Sequence, residues 1–230
     1  AGVGVLAGVV TTVAGMGGGL VLVLALSVVM DPLLALAVSS PALLLANGHR
    51  LWMYRGDLPR REALWLVLGA APGAFLGGVF ATGLPESVIR AAMVGMALLA
   101  VLRSLLKLEW RPRLGWNPVA AGLAGFVSAT SGGGGLILGP YILARGLSGV
   151  PYVACAALTA LCIHAARILA YGAGGVGGWD TLAQGSALAL CIALGNLLGN
   201  GLRVWLGARR QGRVQIAVML GCLGLALLGV

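Results

Sequence analysis

The chain has 230 residues, of which 60% are hydrophobic and only 9% are charged, and this composition excludes a soluble globular domain. The formal net charge of +9 does not indicate nucleic acid as a partner, because the Arg and Lys residues lie between apolar runs with no soluble unit to carry a binding face. All four cysteines lie within apolar segments, which argues against a secreted disulfide framework. The sequence therefore predicts an integral membrane protein whose surroundings are the lipid bilayer.

Apolar runs long enough to span a bilayer recur along the chain. They lie at 33–54, 63–82, 85–106, 150–171, 181–205 and 214–230. The sequence has no succession of short alternating strands, so we predict helices and not a barrel.

Two glycine-rich segments precede these runs and resemble each other. The first reads LAGVVTTVAGMGGGLVLVL at 6–24, and the second reads LAGFVSATSGGGGLILGP at 123–140. The chain thus consists of a first membrane repeat at 1–106, a basic cytoplasmic linker at 107–117 and a second membrane repeat at 118–230.

The glycine runs predict interrupted helices. Each Gly inside a helix is about 1 kcal/mol less favourable than Ala, so four consecutive glycines oppose a continuous helix by about 4 kcal/mol. A span needs roughly 20 residues, and the pieces on either side of each run are shorter. Each segment is therefore either one long helix with an unwound middle or a re-entrant hairpin that enters and leaves on the same side.

The distribution of positive charge favours the hairpin. If each glycine-rich segment crossed once, the two halves would share one orientation and the Arg residues would divide between both sides of the membrane. If each is a hairpin, the halves are inverted, and every Arg and Lys except Arg90 and the intramembrane Arg167 faces the cytoplasm. We therefore predict an all-α integral membrane protein of two inverted repeats, each a glycine-rich re-entrant hairpin of broken helices followed by three transmembrane helices.

A glycine-rich turn that opens a half-helix leaves unpaired N–H groups at the positive end of the helix dipole, and these favour an anion. The alternative is that glycines only allow close helix packing. We expect that simpler role for Gly69, Gly73 and Gly77, which recur every fourth residue, and a binding role for the two consecutive runs.

The other polar residues at membrane depth fit an anion site, and each has a simpler interpretation. Isolated Ser and Thr usually bond back to their own helix, Ser131 could cap the helix after the glycine run, and Arg167 could snorkel outward. His164 is the side chain at this depth whose unperturbed pKa, about 6.5, lies near physiological pH, so protons are a candidate coupling ion. The candidate substrate-binding residues are Gly17, Gly18, Gly19, Ser39, Ser40, Ser131, Gly133, Gly134, Gly135, Thr159, His164 and Arg167.

No Asp or Glu lies deep in a predicted span, which favours an anionic over a cationic substrate. His49 and His164 lie on different predicted helices without carboxylates at ligand spacing, so we expect no metal site, no cofactor and no enzymatic activity.

Several motifs together resemble the sulfite exporter TauE/SafE family, also called the toluene sulfonate uptake permease family. They are GMGGG at 15–19, SGGGG at 131–135, Ser39-Ser40, YRGDL at 54–58 and GAAPGAFLGGVFATGLPESVIR at 69–90. The resemblance covers both halves, with Leu24 where the family pattern usually has the proline that Pro140 supplies in the second half. It implies a multi-pass transporter of the bacterial inner membrane that moves a small sulfur-containing anion such as sulfite, a sulfonate, sulfoacetate or thiosulfate. An anion channel and a non-transporting membrane subunit are the alternatives.

Overall fold

A computed structural model of the protein describes residues 18–106, 117–195 and 197–199, together with the single residues 5, 9, 217, 220, 221 and 224. Within these residues the chain is helical and contains no strand. The helices are α1 (Gly18–Ser27), α2 (Pro32–Tyr54), α3 (Arg60–Thr82), α4 (Glu86–Leu105), α5 (Asn117–Ser131), α6 (Gly135–Ala144), α7 (Gly149–Ala173) and α8 (Trp179–Gly199), with a 3₁₀ turn at Arg55–Asp57 after α2.

Four of the described helices are long and apolar enough to cross a membrane: α2 with its 3₁₀ turn, α3, α7 and α8. Helix α4 has 20 residues and reaches about 30 Å at 1.5 Å per residue, but it carries three charged side chains. Helices α1, α5 and α6 are apolar and too short to cross alone. The described part of the protein is thus all-helical and has several membrane spans. The predicted last span, 214–230, and the end of the one before it lie outside the described helices.

Helix α3 packs closely against α5. A Cβ on Gly69, Gly73 or Gly77 of α3 would overlap the backbone of α5. The carbonyl groups that face these three glycines belong to Pro118, Gly122 and Phe126. The order of these pairs makes the two helices parallel, and the packing role predicted for this glycine set is confirmed.

Replacing Gly73 with Ala should destabilise the folded protein by about 1–3 kcal/mol, because the added methyl group overlaps the backbone of Gly122 and the helices must separate. Thermal unfolding in detergent measures the effect. Gly95→Ala is the matched control, since a Cβ there meets no described atom within 4 Å. Equal stability of the two variants would contradict the packing.

The two ends of the bundle are named after residues of α3 and α4. We call the end where α3 begins the Glu62 end and the end where α4 begins the Glu86 end. Helix α5 starts beside Gly69, turns back after Ser131, and the guanidinium of Arg145, directly after α6, lies 2.7 Å from the Glu62 carboxylate. The segment from α5 to α6 therefore leaves and returns to the Glu62 end.

Helices α2 and α7 run in opposite directions along each other. The carbonyl of Leu36, early in α2, contacts Arg167 late in α7, whereas Gly48 further along α2 faces Leu161. Gly174, which follows α7, lies against Thr82, so α7 ends at the Glu86 end and α2 begins there. Because α1 leads directly into α2, the ten-residue helices α1 and α6 point toward opposite ends of the bundle.

Candidate functional site

Arg167 lies in the interior of the bundle, one and a half turns before the end of α7. Its side chain is 1% exposed, so outward snorkelling, one of the two interpretations open from the sequence, is wrong. The guanidinium Nη2 donates to the carbonyl oxygen of Leu36 at 2.7 Å and lies 3.4 Å from the Ser39 hydroxyl, both on α2. A permanently charged group is thus held at the contact between α2 and α7.

His164 lies one turn before Arg167 on the same face of α7. Its Nδ1 is 3.3 Å from Nη1 of Arg167. A guanidinium has donors and no acceptor, so this contact requires an unprotonated Nδ1. We therefore assign the neutral tautomer of His164 that carries its proton on Nε2. In this arrangement His164 is a neutral acceptor beside the cation.

The acceptors around Arg167 are fewer than its donors. The Leu36 carbonyl has two lone pairs, yet it also accepts from the hydroxyls of Ser39 at 3.0 Å and Ser40 at 2.7 Å. Nε of Arg167 is buried without a hydrogen-bond partner among the described residues. The site therefore holds a buried cation with donor capacity to spare, which is what an anion needs.

Tyr171 completes the surroundings of Arg167. The guanidinium carbon lies 5.7 Å from the centre of the Tyr171 ring, within the range of a cation–π contact. The Tyr171 hydroxyl donates to the carbonyl of Ala129 in α5 at 2.6 Å. Sequence reasoning missed this residue as part of the site, although its i, i+4 spacing from Arg167 placed both on one helical face.

The second glycine run breaks the helix, as the sequence predicted. Helix α5 ends at Ser131, Gly132 adopts a φ of +75° that suits glycine, and α6 begins at Gly135. A Cβ on Gly133 would meet the side chain of Met96, and one on Gly134 would overlap the carbonyl of Ala124. Only at Gly135 in this run does a Cβ meet no described atom within 4 Å.

The described part of the first run places Gly18 in the interior and Gly19 beside α2. A Cβ on Gly19 would lie 3.6 Å from the Leu43 side chain, an ordinary contact. Gly17 lies outside the described residues. A Cβ on Gly132 would lie 3.2 Å from the side chain of Val23 in α1, and Val23 shares one buried cluster with Leu36 and Tyr171. The second glycine turn thus borders the buried cluster that also contains Leu36 and Tyr171.

The hydroxyl groups of the candidate set divide into two kinds. Ser39 and Ser40 meet Arg167 through the shared carbonyl of Leu36. Ser131 and Thr159 bond back to carbonyls four residues earlier in their own helices. The capping role considered for Ser131 is wrong, because Gly134 is the N-cap of α6 and no side chain caps it.

Arg103 is a second cationic residue that sequence reasoning assigned only to the cytoplasmic charge count. Its Nη1 donates to the carbonyl of Leu136 at 2.8 Å. Pro140, four residues later, has no N–H to satisfy that carbonyl within α6. The proline in a short half-helix was the available signal, since it requires an outside donor for the freed carbonyl.

No group of three or more His, Cys, Asp or Glu side chains suited to a metal ion occurs in the described part of the chain.

The fold and the buried guanidinium define a multi-pass helical membrane protein with a centre suited to an anion, the class that includes anion transporters. A family model described as sulfite exporter TauE/SafE matches residues 1–227. The chain belongs to this family, and its resemblance to the family is confirmed. The family makes it a membrane transporter of the sulfur-anion exporter type. No curated protein matches the chain, and no solved structure matches it either.

Proposed function

We propose that the protein is a secondary transporter that moves a small sulfur-containing anion across the bacterial inner membrane, with the anion bound at Arg167. The observation that carries the proposal is the buried guanidinium with an unpartnered Nε. A sulfonate or sulfite group presents several oxygen acceptors and negative charge, which match a guanidinium in both geometry and charge. The neighbouring Ser39 and His164 supply polar groups that fix orientation.

The proposed architecture is a pair of inverted repeats with re-entrant hairpins. The opposite courses of α1 and α6, and of α2 and α7, support it. The return of the α5–α6 segment to the Glu62 end supports a hairpin in the second repeat. In such transporters the binding site lies where the repeats meet near the midplane, and Arg167 joins α7 of one repeat to α2 of the other.

The function is tested by thermal-shift measurements on the purified protein with sulfite, thiosulfate, sulfoacetate, taurine and sulfate. Stabilisation that saturates with one of these anions supports binding, because a ligand of the folded state raises its stability. Saturable counterflow in proteoliposomes then separates a transporter from a channel. An absence of binding by all five would leave the non-transporting subunit as the better account.

The topology follows from the same proposal. Single cysteines at Gly56, in the 3₁₀ turn, and at Ser148, before α7, should both be labelled from the cytoplasmic side, because both exposed positions flank the Glu62 end. A cysteine at Asp180 should be labelled from the opposite side. If each glycine-rich segment crossed only once, Gly56 and Ser148 would be labelled from different sides.

Proton coupling is proposed for His164. Protonated His164 and Arg167 would be like charges in contact, so an anion between them favours the proton, and the proton favours the anion in return. The other groups that face this pair are the Ser39 hydroxyl and the Leu36 carbonyl of α2 and the ring of Tyr171. None of these groups titrates between pH 6 and 8.

The affinity for the anion should therefore rise as the pH falls from about 8 to 6, a range that brackets the unperturbed histidine pKa. His164→Gln keeps an acceptor for Arg167 but does not titrate, so it should flatten this dependence. A strong-acid sulfonate is the ligand for this titration, because sulfite itself gains a proton near neutrality. An unchanged pH profile in the variant would remove His164 from the mechanism, and facilitated anion diffusion would then be the simpler account.

The proposal includes no enzymatic activity and no cofactor. The candidate glycines of both runs are proposed to contribute backbone N–H groups to the anion during transport.

A further inference from the structure

A cavity of about 130 Å³ lies at the Glu86 end of the bundle, between α2, α7 and α8. Its walls include Pro41 of α2, Tyr171 and Gly172 at the end of α7, and Thr181 of α8. Gly177 and Gly178, in the loop before α8, line it as well. We call it the outer cavity, since the Glu86 end is the outer side in the proposed topology. The cavity has the size of a small solute and lies within one helical turn of Arg167 along α7.

Tyr171 belongs to both the outer cavity and the Arg167 site. Tyr171 is one of the residues that line the cavity, and it is 1% exposed. The centre of its ring lies 5.7 Å from the guanidinium carbon of Arg167. Arg167 itself does not line the cavity. Tyr171 is therefore the residue that joins the space at the outer end to the surroundings of the buried cation.

The ring packs in the buried cluster that includes Leu36 and Val23, and two polar contacts fix its orientation. Both polar contacts can be replaced by contacts with an anion or with another acceptor. The hydroxyl donates to the Ala129 carbonyl of α5, and the ring face meets the guanidinium. The Ala129 carbonyl belongs to the last turn of α5, directly before the glycine turn. An anion that pairs with Arg167 competes with the ring for the guanidinium, and any movement of the α5–α6 segment displaces the carbonyl that anchors the hydroxyl.

We propose that Tyr171 is the residue that controls access to Arg167 from the outer cavity. The proposal rests on the proposed function, because it treats Arg167 as the place an anion must reach. Tyr171 closes the path while its hydroxyl is bound to Ala129, and rotation of the ring opens the path and frees one face of the guanidinium. The same residue thereby links the anion site to the segment that carries the second glycine turn.

Access is measured by the rate at which a buried cysteine is modified. In a chain whose four native cysteines are replaced by alanine, Ser39→Cys puts a thiol beside Arg167. A membrane-impermeant methanethiosulfonate reagent that carries a sulfonate group is added from outside. Tyr171→Phe removes one hydrogen bond to the backbone, and modification should become about fivefold faster. Tyr171→Ala removes the whole ring and should give a larger increase.

Tyr141 provides the matched control. It is also 1% exposed, lies in α6, and its hydroxyl has no hydrogen-bond partner among the described residues. Tyr141→Phe and Tyr141→Ala should leave the rate unchanged. If the Tyr141 variants accelerate modification equally, the cause is a general loosening of the helix packing, and control of access by Tyr171 is overturned. An unchanged rate in both Tyr171 variants would overturn it as well.

Access control by Tyr171 and anion binding at Arg167 are tested by separate measurements. Anion binding is measured by thermal shift with a sulfonate on the cysteine-free chain that keeps Ser39, with and without the Tyr171 substitutions. A Tyr171-dependent modification rate without any anion binding would keep the access path and remove the proposed function. Anion binding together with a modification rate that does not depend on Tyr171 would keep the proposed function and overturn the control of access by Tyr171.

Discussion

Arg167→Gln should weaken binding of the substrate anion by about thirtyfold or more, because loss of one member of a buried, hydrogen-bonded charge pair removes about 2–5 kcal/mol of binding free energy. Gln is chosen because its amide can still donate to the Leu36 carbonyl and to Ser39, so the local hydrogen bonds of α2 and α7 have a replacement. Isothermal titration calorimetry or the thermal shift with saturating anion measures the loss.

The stability of the anion-free protein distinguishes this effect from misfolding. A buried charge with incomplete pairing opposes folding, so its replacement by a neutral residue should leave the unfolding temperature of the anion-free protein unchanged or raise it. The anion should then no longer raise that temperature. A residue that only supported the fold would show the reverse pattern, with lower stability and an anion response that persists.

Arg145→Gln is the matched control for charge. It also removes one guanidinium, but from the ion pair with Glu62 at the end of the bundle, away from the buried centre. Its anion affinity should match that of the original protein. If Arg167→Gln binds the anion as tightly as Arg145→Gln does, the site lies at the glycine turns and Arg167 only joins α7 to α2.

The sequence predicted the helices and the break in the second glycine-rich segment. It predicted less well which side of each helix faces the protein interior. Glycines at every fourth position of α3 have one physical use in a membrane, so Gly69, Gly73 and Gly77 could be assigned to packing directly. The second run had to break its helix because consecutive glycines are poor helix formers. These features depend on local properties, and local properties can be read from a sequence.

The direction of Arg167 could not be read in the same way. Helix α7 is apolar around most of its circumference, so no polar face distinguishes its lipid side from its protein side. The residue that fixes the guanidinium is Leu36, 131 positions away in the chain, and it acts through a backbone carbonyl that no side-chain pattern reports. The contacts of Tyr171 and Arg103 could not be predicted from the sequence for the same reason. Tyr171 donates to the distant carbonyl of Ala129, and Arg103 donates to that of Leu136.

The glycine turn allows a test in which two neighbouring residues should behave differently. Gly134→Ala should destabilise the protein by about 1–3 kcal/mol, because the new Cβ overlaps the Ala124 carbonyl and lies 2.6 Å from the Cβ of Ser128. At Gly135 a Cβ meets no described atom within 4 Å, so Gly135→Ala should keep the stability of the original protein. Differential scanning fluorimetry of the two variants measures this difference.

Anion binding then separates a packing turn from a binding turn. If the N–H groups at the start of α6 approach the anion, the methyl group of Gly135→Ala obstructs that approach, and the affinity should fall by about tenfold, the effect typical of one misplaced methyl or methylene group. The stability of this variant is preserved, so the loss cannot come from misfolding. A Gly135→Ala protein that binds the anion with undiminished affinity, beside a destabilised Gly134→Ala protein, would assign the second run to helix packing alone. The buried donors of Arg167 would then be the anion site by themselves, because they do not depend on the turn.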